Sequence, residues 1–184
     1  TVLIFDEVRT GFRLAPGGAQ ELLGVTPDLT ALGKAMSNGY AISALVGRRE
    51  LMMASRSTFI SSTYFPSGLA MAAAIATLDV LLRENVCDYI RRVGEQLSAG
   101  LANIVAETGL PVTLSPYPQM PFLFFDKSLE RGQDQRRDRF YGSLAGQGVF
   151  AHPRHHGFLS WRHGEIEINS LLAAVRSAAQ AALV

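Results

Sequence analysis

The sequence predicts an α/β protein in two parts: a Gly-rich α/β part over residues 1–85 and a smaller α+β part over residues 86–184. Three observations carry this expectation. A continuous apolar run, Val2 to Phe5, stops abruptly at Asp6-Glu7. Beyond Ser67, two successive stretches carry apolar residues at helical spacing. After Thr108-Gly109 the character changes again, to short apolar segments punctuated by Pro111, Pro116, Pro118 and Pro121.

Taken in order, Val2 to Phe5 is β-branched and aromatic, the pattern of a strand covered on both faces in a parallel sheet. Asp6 and Glu7 then stand at its C-terminal end, where open α/β sheets bind their ligands. Gly17 to Gly24 reads as a short helix closed by glycine. Pro27-Asp28 turns the chain into the apolar segment Leu29 to Leu32, and Gly33-Lys34 precedes the turn residues Ser37-Asn38-Gly39. Ser43 to Val46 is a further strand and Arg48 to Ala54 a short helix.

From Ser67 the spacing of Leu69, Ala73, Ile75, Leu78, Leu81 and Leu82 predicts a helix that is amphipathic to buried. A second helix, roughly Cys87 to Glu107, places Ile90, Val93, Leu97, Leu101, Ile104 and Val105 on one side. Phe122 to Phe125 reads as a strand. The charged stretch Glu130 to Arg139 opens a helix reaching Ala145, and its alternating charges are those of a solvated face. Gly148 to Ala151 and Phe158 to Ser160 read as strands, and Ile166 to Leu183 as a closing helix. The domain boundary falls near Asn85.

Composition narrows the function classes. Hydrophobic residues make up 48% and charged residues 18%, as in a well-buried globular protein. The formal charge of +1 gives no reason to expect nucleic acid or an anionic membrane as partner. The longest apolar stretch, Gly68 to Leu82, is interrupted by Asp79 and too short for a membrane span. Cys87 is the single cysteine, so no intrachain disulfide forms; it reads as a small buried residue in a cytoplasmic protein. His152, His155, His156 and His163 lack the carboxylate or cysteine pattern of a metal site and read as a surface or entrance cluster. The chain opens directly on a strand that needs neighbours, which reads as a fragment whose preceding half lies upstream.

The chemistry centres on one carboxylate and one amine. An aldehyde cofactor with a pyridine ring needs a lysine to form a Schiff base and a carboxylate to keep the ring nitrogen protonated. Asp6 at a strand end and Lys34 in a Gly-containing loop after a later strand answer both demands. A P-loop reading of Gly33-Lys34 fails: that motif needs glycine where Asp28 sits and Ser or Thr where Ala35 sits, and it precedes its acidic strand. Glu7 reads as a structural partner for a nearby base such as Arg9 or Arg13 more readily than as a group touching the cofactor.

Three segments sharpen this. Leu3 to Arg13 (LIFDEVRTGFR) resembles the segment presenting the pyridine-binding aspartate in class III aminotransferases, the pyridoxal-phosphate (PLP) enzymes. Pro27 to Ala35 (PDLTALGKA) is similar to that family's Schiff-base segment. Phe59 to Tyr64 (FISSTY) resembles the segment whose threonine binds cofactor phosphate in the partner subunit. Gly148 to Pro153 and Phe158 to Ser160 also resemble the family's C-terminal domain. Within the family the sequence is nearest to the glutamate-1-semialdehyde aminomutase group.

The resemblance implies the PLP-dependent transferase fold type I: part of the large mixed-sheet domain over 1–85, then the small α+β C-terminal domain over 86–184. It implies PLP as cofactor, with Asp6 on the pyridine nitrogen, Val8 against a ring face, and Lys34 as Schiff-base lysine and then acid and base. It implies a homodimer in which Thr63 reaches the neighbouring site, and a small-molecule amine or amino-acid substrate. Three functions remain open: an aminotransferase, which is favoured; an aminomutase moving the group within one molecule; and a non-catalytic module retaining the fold. The segment that clamps a substrate carboxylate is not evident, and Arg154 or Arg162 are its candidates. The upstream half would supply most of the phosphate cup, so the chain alone is not expected to complete a catalytic cycle.

Overall fold

The computed structural model describes residues 1–61, 63, 65, 67–125 and 133–183. They fall into two compact units, Thr1–Asp88 and Tyr89–Val184.

The first unit is built on three short strands. β1 (Ile4–Asp6) runs parallel to β2 (Leu29–Leu32), and β2 runs antiparallel to β3 (Ala44–Gly47), in the order β1-β2-β3. The sheet is therefore mixed. A parallel pair needs a long connection, and α1 (Gly18–Leu23) lies within it, closed by Gly24 at φ 63°.

Asp28 staples the three strands together at one end. Leu3 N–H donates to its Oδ2 at 2.8 Å and Arg48 Nη1 to its Oδ1 at 3.1 Å. Backbone bonds of 2.9 Å run from Asp28 N–H to the Leu3 carbonyl and from Arg48 N–H to the Asp28 carbonyl. The Leu3 N–H first, and then Arg48, hold the Asp28 carboxyl below its ordinary range. The same corner requires Gly47: its φ is 155°, and a Cβ there would lie 2.2 Å from the Asp28 carbonyl oxygen.

The expected double cover of the first strand is not met. Ile4 is 58% exposed, because among the described residues β1 pairs with β2 alone. α2 (Arg49–Ala54) follows β3, and then α3 (Gly68–Arg83), whose N-cap Ser67 accepts the Ala70 N–H at 3.4 Å. α3 packs on the 3-10 turn Lys34–Ser37. Its buried residues are Ala70, Ala74 and Leu81, while the larger Leu69, Ile75 and Leu82 are exposed.

The second unit has an aliphatic interior. α4 (Val86–Thr108) buries Ile90, Val93, Leu97, Leu101 and Ile104, one stripe at spacings of three and four. Each such side chain contributes roughly 1.5–3 kcal/mol on leaving water. β4 (Val112–Leu114) pairs antiparallel with β5 (Leu123–Phe125). α5 (Gln133–Gly146) packs on α6 (Glu165–Leu183), burying Phe140 and Leu144 from one and Val175, Ala178, Ala179 and Ala182 from the other. Glu130 to Gly132, where the helix α5 was expected to open, lie outside the described residues.

Gly148 to Ala151 and Phe158 to Ser160 are not strands. The second segment begins an antiparallel pairing, with Gly157 N–H on the Pro121 carbonyl (2.9 Å) and Leu159 N–H on the Gln119 carbonyl (3.3 Å). Pro121 has no N–H to return, so the ladder stops there. Gly148, at φ 79°, ends helix α5 and leads into the irregular chain that follows.

Candidate active site

The pairing of β1 with β2 decides where the two expected groups stand. Asp6, the last residue of β1, is opposite Ala31, and Lys34 follows three residues later. Both therefore emerge at the C-terminal ends of adjacent parallel strands, which lie roughly 4.8 Å apart. Both are exposed at that edge.

Asp6 is held by its own turn: Val8 N–H donates to Asp6 Oδ1 at 3.0 Å. That bond fixes the carboxylate through one oxygen. Lys34 opens the 3-10 turn at φ 46°, a left-handed conformation that costs a side-chain-bearing residue on the order of 1–2 kcal/mol. Such strain persists only where the surroundings enforce it. Here Met36 and Ser37 are buried beneath the turn, Met36 N–H bonds the Gly33 carbonyl at 3.1 Å, and Ser37 Oγ donates to the Tyr40 carbonyl at 2.5 Å. Val8 sits beside the turn: a Cβ built on Gly33 would lie 3.7 Å from Val8 Cγ1.

These residues fit PLP. An exposed carboxylate for a protonated ring nitrogen and an exposed amine for an aldehyde share one sheet edge, with an apolar side chain next to the amine's turn. Thr63 is described as an exposed turn residue of the same unit; Ser62 and Tyr64 of its motif lie outside the described residues.

Glu7 takes a structural part. It is 1% exposed, and its carboxylate accepts the Thr10 hydroxyl, the Ala19 N–H (2.9 Å) and the Gln20 N–H (2.9 Å). Its partners here are Thr10 and the first turn of helix α1.

A family model, aminotransferase class III, matches residues 1–112. The chain belongs to the class III aminotransferase family. Membership brings the family's cofactor, pyridoxal phosphate. The chain is 42% identical to the 3-aminobutyryl-CoA aminotransferase of Cloacimonas acidaminovorans, over 95% of this chain and 42% of that protein. It is 40% identical to a glutamate-1-semialdehyde 2,1-aminomutase of Thermus thermophilus, over 96% of this chain and 45% of that protein. Among solved structures, the PLP internal aldimine form of the FumI protein of Sphingopyxis sp. MTA144 superposes with a TM-score of 0.90 at 34% identity. It matches all of this chain, which amounts to 44% of FumI. The chain thus spans less than half the length of these relatives, and the fold is that of a part of the PLP transaminase fold.

The second unit holds a cavity of about 560 Å³, lined by Leu97, Phe122, Phe140, Phe158 and His155 among others. Sequence reasoning did not find it, since its walls come from α4, residues 121–123, α5, residues 148–163 and α6. The histidine rings nearby serve local turns: His152 Nδ1 accepts the Arg154 N–H (3.1 Å) and His163 Nδ1 the Ser160 N–H (2.9 Å). Among the described residues no group of three His, Cys, Asp or Glu is gathered as for a metal ion. Arg154 and Arg162 are both exposed. Asp28 was also missed as a staple; the signal was an Asp entering one strand and an Arg leaving another. No described helix is long and apolar enough to cross a membrane.

Proposed function

We propose that this chain is the C-terminal part of a PLP-dependent aminotransferase subunit, with residues 1–85 belonging to the cofactor-binding domain and residues 86–184 forming the small domain. The observation that carries this is the strand register that brings Asp6 and Lys34 to one edge of the sheet. When bound, PLP supplies an aldehyde and a cationic ring that accepts electrons from the substrate's α-carbon. Asp6 would keep the ring nitrogen protonated, and Val8 would lie against the ring. Lys34 Nζ would hold the cofactor through its aldehyde and, as a free amine, would serve as the acid and base that moves a proton between carbons. Thr63 contributes its hydroxyl to the cofactor phosphate of a second subunit in a homodimer. The setting is cytoplasmic and the substrate a small amine or amino acid.

A second reading has a specific motive. The relative named an aminotransferase and those named aminomutases differ little in identity, 42% against 40% and 39%. The two activities separate on one requirement. An aminotransferase consumes a separate keto acceptor, whereas an aminomutase turns over with none. Product formation by the full-length protein, with and without a keto acid, is the test. Turnover that depends on the acceptor supports the first reading, and turnover without it replaces that reading with the second.

A further inference from the structure

We propose that Glu7 is a positioning residue for Asp6: its buried carboxylate clamps the strand end that carries Asp6 and Val8 onto helix α1, and so sets the strength of the Asp6 grip on the cofactor. This rests on the assignment of Asp6 to the ring nitrogen made above. Side chains alternate along a strand. Asp6 is exposed on one side, and Glu7, the next residue, is buried on the other. Glu7 is tied on three sides. Its N–H extends the β1–β2 pairing by one step, to the Ala31 carbonyl at 2.9 Å, and its own carbonyl accepts the Gly11 N–H at 2.9 Å. Its carboxylate takes the Thr10 hydroxyl and the Ala19 and Gln20 N–H groups.

The surroundings are shaped for that carboxylate. Gly18 has φ 75°, and a Cβ there would come within 2.5 Å of Glu7 Oε2. The carboxylate thus fills the space a side chain would need. It accepts from the Thr10 O–H and the Ala19 and Gln20 N–H groups on both oxygens, so an amide in its place would turn an NH₂ group toward one of these donors. Buried groups of this kind hold their neighbours to one geometry, and for ligands of bound metals the loss of such a partner lowers affinity about 10–100-fold.

The experiment compares the full-length protein with Glu7→Gln, Thr10→Val and Asp6→Asn. PLP affinity, the pH midpoint of the bound cofactor's absorbance, and the melting temperature of the cofactor-free protein are measured for each. Glu7→Gln should weaken PLP binding on the order of tenfold. It should also move the pH midpoint in the same direction as Asp6→Asn, by a smaller amount. Thr10→Val, which removes one bond of the clamp, should move it the same way again and least. A lower melting temperature with unchanged affinity and midpoint in Glu7→Gln and Thr10→Val would overturn the proposal and leave Glu7 a purely structural residue. Should Glu7→Gln fail to fold, Thr10→Val alone decides between the two. Failure of the underlying assignment looks different: Asp6→Asn itself would then leave the midpoint where it is in the unaltered protein.

Discussion

The two units hold themselves together by different means. In Tyr89–Val184 the interior is aliphatic and aromatic, with Leu97, Ile104, Phe140, Ala178 and Ala179 almost wholly buried. In Thr1–Asp88 the buried residues include three polar ones, Glu7, Thr30 and Ser37. In the first unit hydrogen bonds gather at two points, Asp28 before β2 at one end of the strands and Glu7 after β1 at the other. The second is ordered by packing. Groups that must meet a ligand at defined angles gain from directional bonds, whereas a packed interior needs only volume and shape.

Substitutions can break this contrast. The largest effect belongs to Lys34→Ala, which should abolish the Schiff-base absorbance of the PLP-loaded protein while leaving the helical content seen by circular dichroism intact. Retained absorbance would remove Lys34 from its role. Next, Phe140→Ala in the second unit should cost about 3–5 kcal/mol in chemical denaturation, because a fully buried aromatic leaves a cavity. Gly47→Ala in the first should destabilise by more than about 1 kcal/mol, through strain at φ 155° and the contact with Asp28. Lys34→Gly should be more stable than Lys34→Ala by ~1 kcal/mol, since glycine accepts the left-handed turn without cost.

The smallest effect is one of pH. The Asp28 carboxyl is held below its ordinary value, so its contribution is present above the unfolded-state pKa of about 3.9 and lost as pH falls through the lowered folded one. Acid unfolding followed by fluorescence should therefore show a step below about pH 4 that Asp28→Asn lacks.

The sequence carried the helices because their interiors are periodic: Ile90, Val93, Leu97, Leu101 and Ile104 mark one stripe without any knowledge of neighbours. Strand β1 was legible as a strand, and its end as the place of a carboxylate, which the structure leaves exposed. Its exposure was not, since cover comes from elements that composition does not reveal. The same holds for helix α3, which buries Ala70, Ala74 and Leu81 and leaves Leu69, Ile75 and Leu82 exposed. Segments 148–151 and 158–160 look like strands by residue type, but pairing is a property of two chains at once, and Pro121 withholds the N–H that a ladder would need. Asp6 and Lys34 were found through their motifs. The partners of Glu7 lie 12 and 13 residues away, in a helix that gives no local sign of them.

Whether Lys34 anchors the cofactor is decided by borohydride trapping. The chain contains two lysines, Lys34 and Lys127, so reduction of the PLP-loaded full-length protein followed by peptide mapping has two internal candidates within it. A reduced phosphopyridoxyl group on the peptide containing Lys34 is the result predicted. Label on Lys127 or elsewhere in the protein, with Lys34 unmodified, would contradict it.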